Sequence, residues 1–335
     1  MGGAGAVVGL TGATGHIGGL LLGRLLADPS VEEVRTIARR DLVRPEAGAR
    51  PEASGWRPRL VHVRADLREP AARRALAGAD VVYHLAAQVW QGYGRGARPE
   101  MEAANVAGTR NVLAGRPAAV VLASSASVYG AWPDNPLPLT EAQAPRPNPE
   151  CPYGSDKLRS EQICAEAAGR YVVVRLAAVL GPHADARVAR SVRGYRLAVP
   201  EVRGAPQAVQ WLDEADAVEA LLAAGRAVLE ARGVTGEVVN VATADWLGAG
   251  DSARLARSRV VRLPRPALMA VSELGRRWRL VPFGADRAAL IGGPLALSVA
   301  KAQALLGWRP TRTSAQVLAV ALGRDWRASP RNRAV

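Results

Sequence analysis

The stretch GLTGATGHIGG, residues 9–19, follows an apolar run (AVVGL, 6–10) and leads into a helical pattern, and its spacing decides how the rest of the chain is read. Gly12 permits the tight turn out of a strand, Gly15 lets the backbone approach a pyrophosphate, and Gly18 lets the helix pack closely on the strand. A glycine triplet in an Ala- and Gly-rich chain is weak evidence alone. Set between a strand and a helix, it predicts a dinucleotide site, with Thr14, His16 and Ile17 completing the loop.

The same rhythm continues outward. Apolar runs recur at VRTIA (34–38), LVHVR (60–64), VVYHL (81–85), AVVLA (119–123), YVVVRL (171–176) and GEVVNVA (236–242). Continuous apolarity marks strands buried on both faces, and alternation with helical stretches builds parallel sheets. The predicted fold class is α/β, a Rossmann-like doubly wound parallel sheet over residues 1–182 with a return strand near 236–242. From 183–235 and 244–330, scattered charges and prolines predict a smaller, irregular C-terminal lobe for substrate. The Pro-rich stretch 132–150 reads as a loop placed to overhang a site.

Composition excludes several classes. With 335 residues, 49% hydrophobic and 22% charged, the chain is long enough to bury a core and is neither fibrous nor disordered. Of 44 basic residues only Lys157 and Lys301 are lysines, a skew of the kind a GC-rich genome produces. The net charge of +14 raises the question of a nucleic-acid partner. Eight arginines crowd 251–280 against Asp251 and Glu273, yet no zinc cluster, aromatic-basic stripe or helix-turn-helix accompanies them, so none is expected. LPRPALMAVSELGRRWRLVPFG (263–284) reads as an amphipathic helix packed on the core, with an apolar pocket with an anionic edge as the alternative. Two cysteines and four scattered histidines predict no disulfide framework and no metal site. The uncharged first 23 residues lack a basic start and are broken by glycine, and no run of 18 apolar residues follows. A cytoplasmic protein with no membrane partner is the expectation.

The end of the second strand bears on which dinucleotide is used. An acid there would bond a ribose 2′-hydroxyl, but TIARRD puts Ala38 at that place, followed by Arg39 and Arg40. Guanidiniums pair with a 2′-phosphate, so NADP(H) is expected over NAD(H).

Tyr153 and Lys157 stand four residues apart, on one face of a helix that opens near Pro152. A free phenol titrates near ~10 and is a poor acid–base group at neutrality; a cation beside it favours the phenolate. Lysine suits this place because its ammonium is a compact point charge, unlike the planar fork used almost everywhere else in the chain.

TGATGHIG, DL at 66–67, HLAA at 84–87, NVAGT at 105–109, SSASVYG at 124–130, YGSDK at 153–157 and LGW at 306–308 occur in that order. Together they resemble the extended short-chain dehydrogenase/reductases, the NAD-dependent epimerase/dehydratase group, over about residues 6–325. The resemblance implies that Asp66 and Leu67 contact the adenine, that Leu85, Ala86 and Ala87 line the cofactor, and that Asn105 lies near the nicotinamide half. It implies catalytic roles for Ser125, Tyr153 and Lys157: Ser125 bonds the substrate oxygen, Tyr153 moves the proton, and Lys157 holds the nicotinamide ribose. Ser124 and Ser127 remain alternative hydroxyls. Family members often dimerise through helices that here fall at about 100–114 and 153–168, so a homodimer is a further expectation.

Departures from the family pattern bear on the reaction. Dehydratases of the family follow their catalytic Thr with Asp-Glu, where this chain has Ala126 and Ser127. Epimerases tend to carry Asn three residues after an Arg on the sixth strand and an Arg two before a later aromatic; here these are Ala178 and Val209. The first expectation is therefore an NADP(H)-dependent oxidoreductase acting on a ketone or secondary alcohol of a small molecule. The alternative is a nucleotide-sugar epimerase or related enzyme, and behind it a cofactor-binding regulatory protein.

Overall fold

All seven apolar runs lie side by side. The computed structural model describes residues 5–42, 58–89, 97–230, 234–278 and 284–324. In it β1 (Ala6–Thr11), β2 (Val31–Ala38), β3 (Arg59–Arg64), β4 (Val81–His84), β5 (Ala119–Ser125), β6 (Arg170–Leu176) and β11 (Glu237–Val241) form one sheet. Its order is β3-β2-β1-β4-β5-β6-β11, and every pairing is parallel. The winding direction reverses between β1 and β4, which leaves a crevice at their carboxyl ends.

Helices cover both faces because crossovers between parallel strands require them. They are α1 (His16–Leu26), α2 (Pro70–Leu76), α3 (Ala97–Glu102), α4 (Gly108–Leu113) and α5 (Pro152–Ala167), with a π-helical turn at Ala103–Ala107 joining α3 to α4. Leu21, Leu22 and Leu25 recur at helical spacing on α1 and pack with Val8, Leu10 and Val34 of the sheet. Burying each such leucine stabilises the fold by about 1.5–3 kcal/mol.

Short parallel pairs make up much of the remainder: β7 (Ala178–Leu180) with β10 (Trp211–Asp213), β8 (Ala198–Val202) with β12 (Arg259–Leu263), and β9 (Ala208–Val209) with β13 (Pro294–Leu295). Around them lie α6 (Ala186–Gly194), α7 (Glu214–Leu229), α8 (Ala249–Ala256), α9 (Arg265–Arg277), α10 (Ala285–Ile291), α11 (Ala300–Leu306) and α12 (Ser314–Ala321). Within the stretch expected to form the substrate lobe, α7 lies flat on the main sheet. A Cβ at Gly225 would meet the Tyr83 hydroxyl of β4 at 1.8 Å, so only glycine fits there.

A buried ion pair joins α5 to the sheet. Arg175 of β6 donates to both Glu161 oxygens, at 3.0 and 2.7 Å, and to the Tyr129 hydroxyl at 2.7 Å. Tyr129 donates in turn to Asn240 of β11 at 3.0 Å. With its guanidinium fully engaged inside, Arg175 holds α5 against β6. Among the described residues no helix is long and apolar enough to cross a membrane.

Candidate active site

The glycine loop sits at the mouth of the crevice. Gly12 has φ +79°, and a Cβ there would meet the Ala86 amide nitrogen at 2.8 Å. A Cβ at Gly18 would lie 2.0 Å from the Gly12 carbonyl oxygen, so α1 starts in direct contact with the turn. At Gly15, among the described residues, the one near neighbour of a Cβ would be that same oxygen at 3.2 Å, so this side of the loop is open to them. No side chain caps the start of α1, and no acid lies in its first turn. Free amides and a positive dipole end suit an anionic group, so the loop fits a dinucleotide pyrophosphate.

The other wall, residues 85–88, is set by two buried side chains. His84 lies between Thr11 and Thr109, at 2.7 Å from Nδ1 and 2.9 Å from Nε2. Thr11 Oγ1 accepts from the Ala86 amide at 3.1 Å, and Thr109 donates to Asn105 O at 2.7 Å. A neutral imidazole with hydrogen on Nε2 satisfies the whole chain of bonds. Burial, helped by the Lys157 charge, pushes the His84 pKa down to about 3, which keeps it neutral. Asn105, on the π-helical turn, accepts from Gln88 N at 2.6 Å and donates to Gln88 O at 3.1 Å and to Asp156 at 3.0 Å. Both side chains fix the backbone on which Leu85, Ala86 and Ala87 stand.

Further along the crevice, Arg39 and Arg40 are exposed just beyond β2. The Asp66 carboxylate is held by Arg68 through bonds of 2.9 and 2.8 Å, and these, with a smaller contribution from Arg39, hold it below the usual carboxylate range. Leu67 packs beside Gly108 at the start of α4.

Ser125 ends β5 and caps a short 3-10 turn. Its Oγ accepts from Ser127 N at 3.2 Å and Ser127 Oγ at 2.9 Å. Ser124 and Ser127 are buried, Ser124 being bonded to Glu161, so Ser125 alone of the three hydroxyls is partly open. The first turn of α5 rests on this 3-10 turn, since a Cβ at Gly154 would lie 2.6 Å from Ser127 O. That contact carries Tyr153 to the Ser125 end of β5. Lys157 is buried and donates to Ala123 O at 2.7 Å, with Nζ 5.8 Å from the Tyr153 ring centroid. Burial lowers its pKa to about 8, against the opposing charges of Glu161 and Asp156. Asp156 in turn takes both ends of Arg98, at 2.8 and 2.7 Å.

Two participants carry no local signal in the sequence. Arg287 of α10 stands 5.8 Å from the centroid of the Tyr153 ring and donates to Val89 O at 3.5 Å. Burial pushes the Tyr153 phenol up to about 12, and Arg287 is the cation pulling it back. Glu214, at the start of α7, accepts from His16 Nε2 at 2.6 Å and from His183 at 2.6 Å (Nδ1) and 3.2 Å (backbone N). Gly181 leaves room for this carboxylate, since a Cβ there would fall 2.1 Å from it. His16 of the glycine loop is thereby tied to the segment after β7. A cavity of about 410 Å³ is lined by Tyr129 and by residues of the 132–150 loop itself, and none of the three candidate catalytic side chains lines it. Among the described residues no His, Cys, Asp and Glu cluster could hold a metal ion.

The family model described as NAD dependent epimerase/dehydratase family matches residues 8–242. An uncharacterized protein of Mycobacterium tuberculosis is 27% identical over 323 residues, covering 92% of this chain and 81% of the relative. A solved UDP-galactose 4-epimerase superposes with TM-score 0.65 at 25% identity, over 94% of this chain and 97% of the other. MoeE5, solved with UDP-glucose and NAD, superposes with TM-score 0.67 at 24% identity, over 96% and 98%.

The Glu214 cluster has a signed pH dependence. Burial opposes its charge, but the bonds from His16 and His183 outweigh burial, so the folded carboxyl titrates below its ordinary value. Its stabilisation is therefore complete above the unfolded pKa and is lost as pH falls through the folded one. Glu214→Gln should lower unfolding stability at neutral pH by about 1–3 kcal/mol. The gap between variant and parent urea midpoints should shrink below about pH 4. A gap that stays constant on acidification would remove the carboxylate from this role.

Proposed function

Because the chain belongs to the NAD dependent epimerase/dehydratase family, we propose that it moves hydride reversibly at an alcohol or keto carbon of a nucleotide-linked sugar. One observation carries the substrate class: the Arg287 guanidinium beside the Tyr153 ring. A cation at that place suits a substrate that carries an anionic group, as the diphosphate of a nucleotide sugar does. The likeness to a UDP-galactose 4-epimerase supports the same class.

The residues divide the work as follows. Gly12, Thr14, Gly15, His16, Ile17 and Gly18 receive the pyrophosphate, Asp66 and Leu67 the adenine side, and Leu85, Ala86, Ala87 and Asn105 the nicotinamide side. Arg39 and Arg40, exposed where an acid would select a 2′-hydroxyl, take a 2′-phosphate, so NADP(H) is the proposed cofactor. The nicotinamide, when bound, supplies the reversible hydride acceptor. Ser125 and Tyr153 both bond the reacting oxygen. In oxidation the Tyr153 phenolate takes the hydroxyl proton while the carbon gives up hydride; in reduction the phenol returns that proton. With its pKa near 12, Tyr153 is protonated at neutrality, the state that donates. Lys157 fixes the end of β5 through Ala123 O and offers its remaining hydrogens to a ribose hydroxyl.

A second reading, reduction of a simple ketone, is favoured by Ala178, which stands exposed on β7 and offers no polar handle to a diphosphate. A panel of UDP- and dTDP-hexoses, scored by chromatography for new isomers, tests the first reading. Ketones scored by loss of NADPH absorbance test the second. Sugars left unchanged beside ketones consumed would replace the first reading with the second.

Tyr153→Phe should cut turnover by about 10²–10⁴ while leaving cofactor affinity intact, as judged by fluorescence titration. Retained turnover would contradict the proton role. Arg287→Gln should raise KM for the sugar nucleotide, and it should move the alkaline limb of the oxidation rate to higher pH, because the phenolate loses its cation. An unmoved limb would separate Arg287 from Tyr153. NADPH should bind more tightly than NADH, with Arg39→Ala narrowing the gap; equal affinities in the parent would refute the 2′-phosphate assignment.

A further inference from the structure

The helix α9 is apolar on both sides, and inward Leu268 and Met269 pack with Val202, Ala205 and Ala288. Its buried side chains are Leu268 and the polar Ser272. On the same inward half, Arg265 reaches Glu150 at 3.0 Å and lies 5.5 Å from the Trp132 ring centroid, while Arg276 is bonded to Glu273. Steps of about 100° per residue gather Ala270, Val271, Leu274, Arg277 and the C-cap Trp278 into one sector of about 120°. All five are exposed: Val271 at 60%, Leu274 at 57% and Trp278 at 70%. The helix thus packs on the core through Leu268 and Met269, as expected, and shows a second apolar face to the outside, with a single charge on it.

That charge narrows what covers the face. A second copy would bring its own Arg277 and no acid to meet it, so the face does not complement itself. A protein interface carries about one hydrogen bond per 100–200 Å². This sector offers hydrogen-bonding side chains only at its end, in Arg277 and the Trp278 indole. A bilayer surface makes no such demand: aliphatic side chains enter the acyl boundary, a tryptophan sits at headgroup depth, and an arginine reaches a lipid phosphate. The chain's net charge of +14 favours an anionic surface over a neutral one.

We propose that the Val271–Leu274–Trp278 face of α9 seats this protein reversibly on membranes rich in anionic lipid. The expectation of no membrane partner came from the want of a long apolar run, which concerns spanning a bilayer and not lying on one.

The full chain should cosediment with vesicles of equimolar phosphatidylcholine and phosphatidylglycerol, and much less with phosphatidylcholine alone. The double variant Leu274→Ser with Trp278→Ser should lower the bound fraction by about tenfold or more. Arg277→Gln should lower it by about fivefold and reduce its sensitivity to salt. Because these side chains are exposed, the variants should keep the parent's circular dichroism and thermal midpoint, which separates lost binding from lost folding. Three results would overturn the proposal: no binding by the parent, equal binding by parent and double variant, or a parent dimer in solution that the double variant abolishes. The last would make the face a contact between copies, and capture of an acidic protein without vesicle binding would count against a lipid surface in the same way.

Discussion

A buried ammonium bonded to a backbone carbonyl underlies the geometry of the crevice. Lys157 donates to Ala123 O at 2.7 Å, which draws α5 onto the end of β5 two residues before Ser125. Removing a cation from water is costly unless it is bonded and paired, and here Asp156 and Glu161 flank it on the same helix. The pair of acids is itself anchored, Asp156 by Arg98 and Asn105, Glu161 by Arg175 and Ser124. The lysine is therefore the inner end of a charge network that reaches from α3 to β6. A longer, planar guanidinium would not fit the single carbonyl it serves, which accounts for lysine in a chain otherwise built on arginine.

The sheet was legible because strands buried on both faces leave unbroken apolar runs, and each of the seven runs became a strand of one parallel sheet. The glycine loop was legible for a different reason: its spacing is a backbone requirement, visible in the 2.0 Å approach between Gly12 O and a Cβ at Gly18. Tyr153 and Lys157 could be paired from their spacing alone, since a helix sets four residues side by side. Arg287 could not, because its partner Tyr153 lies on another helix and tertiary packing alone brings α10 over α5. Glu214 was hidden likewise, although the strand–helix junction WLDEAD marks where a carboxylate would cap a helix, as Asp213 does. For α9 the expected packing on the core is made by Leu268 and Met269, while the exposed Val271–Leu274–Trp278 side has no sign in the sequence. An apolar stripe tells which residues share a side, and only the packing tells which side is inward.

His84 offers a contrast between a titratable group and a functional one. Four bonds from Ala86 through Thr11, His84 and Thr109 to Asn105 cross from β1 to α4 without a charged atom. Its depressed pKa comes from burial, and the chain of bonds works only while the ring is neutral. The ring acts as a rigid spacer between two hydroxyls.

The π-helical turn at Ala103–Ala107 is a one-residue surplus in an otherwise ordinary helix. The wide turn takes up that residue, so α4 leaves it in nearly the phase a regular helix would give. Deleting one residue there would heal the helix into regular α geometry and leave Thr109 close to its present phase, but Asn105 would lose the wide turn from which it bonds Gln88 and Asp156. A deletion in this helix is thus not interchangeable with one in a surface loop: a shorter chain would fold here with less strain and without the side chain that fixes residue 88.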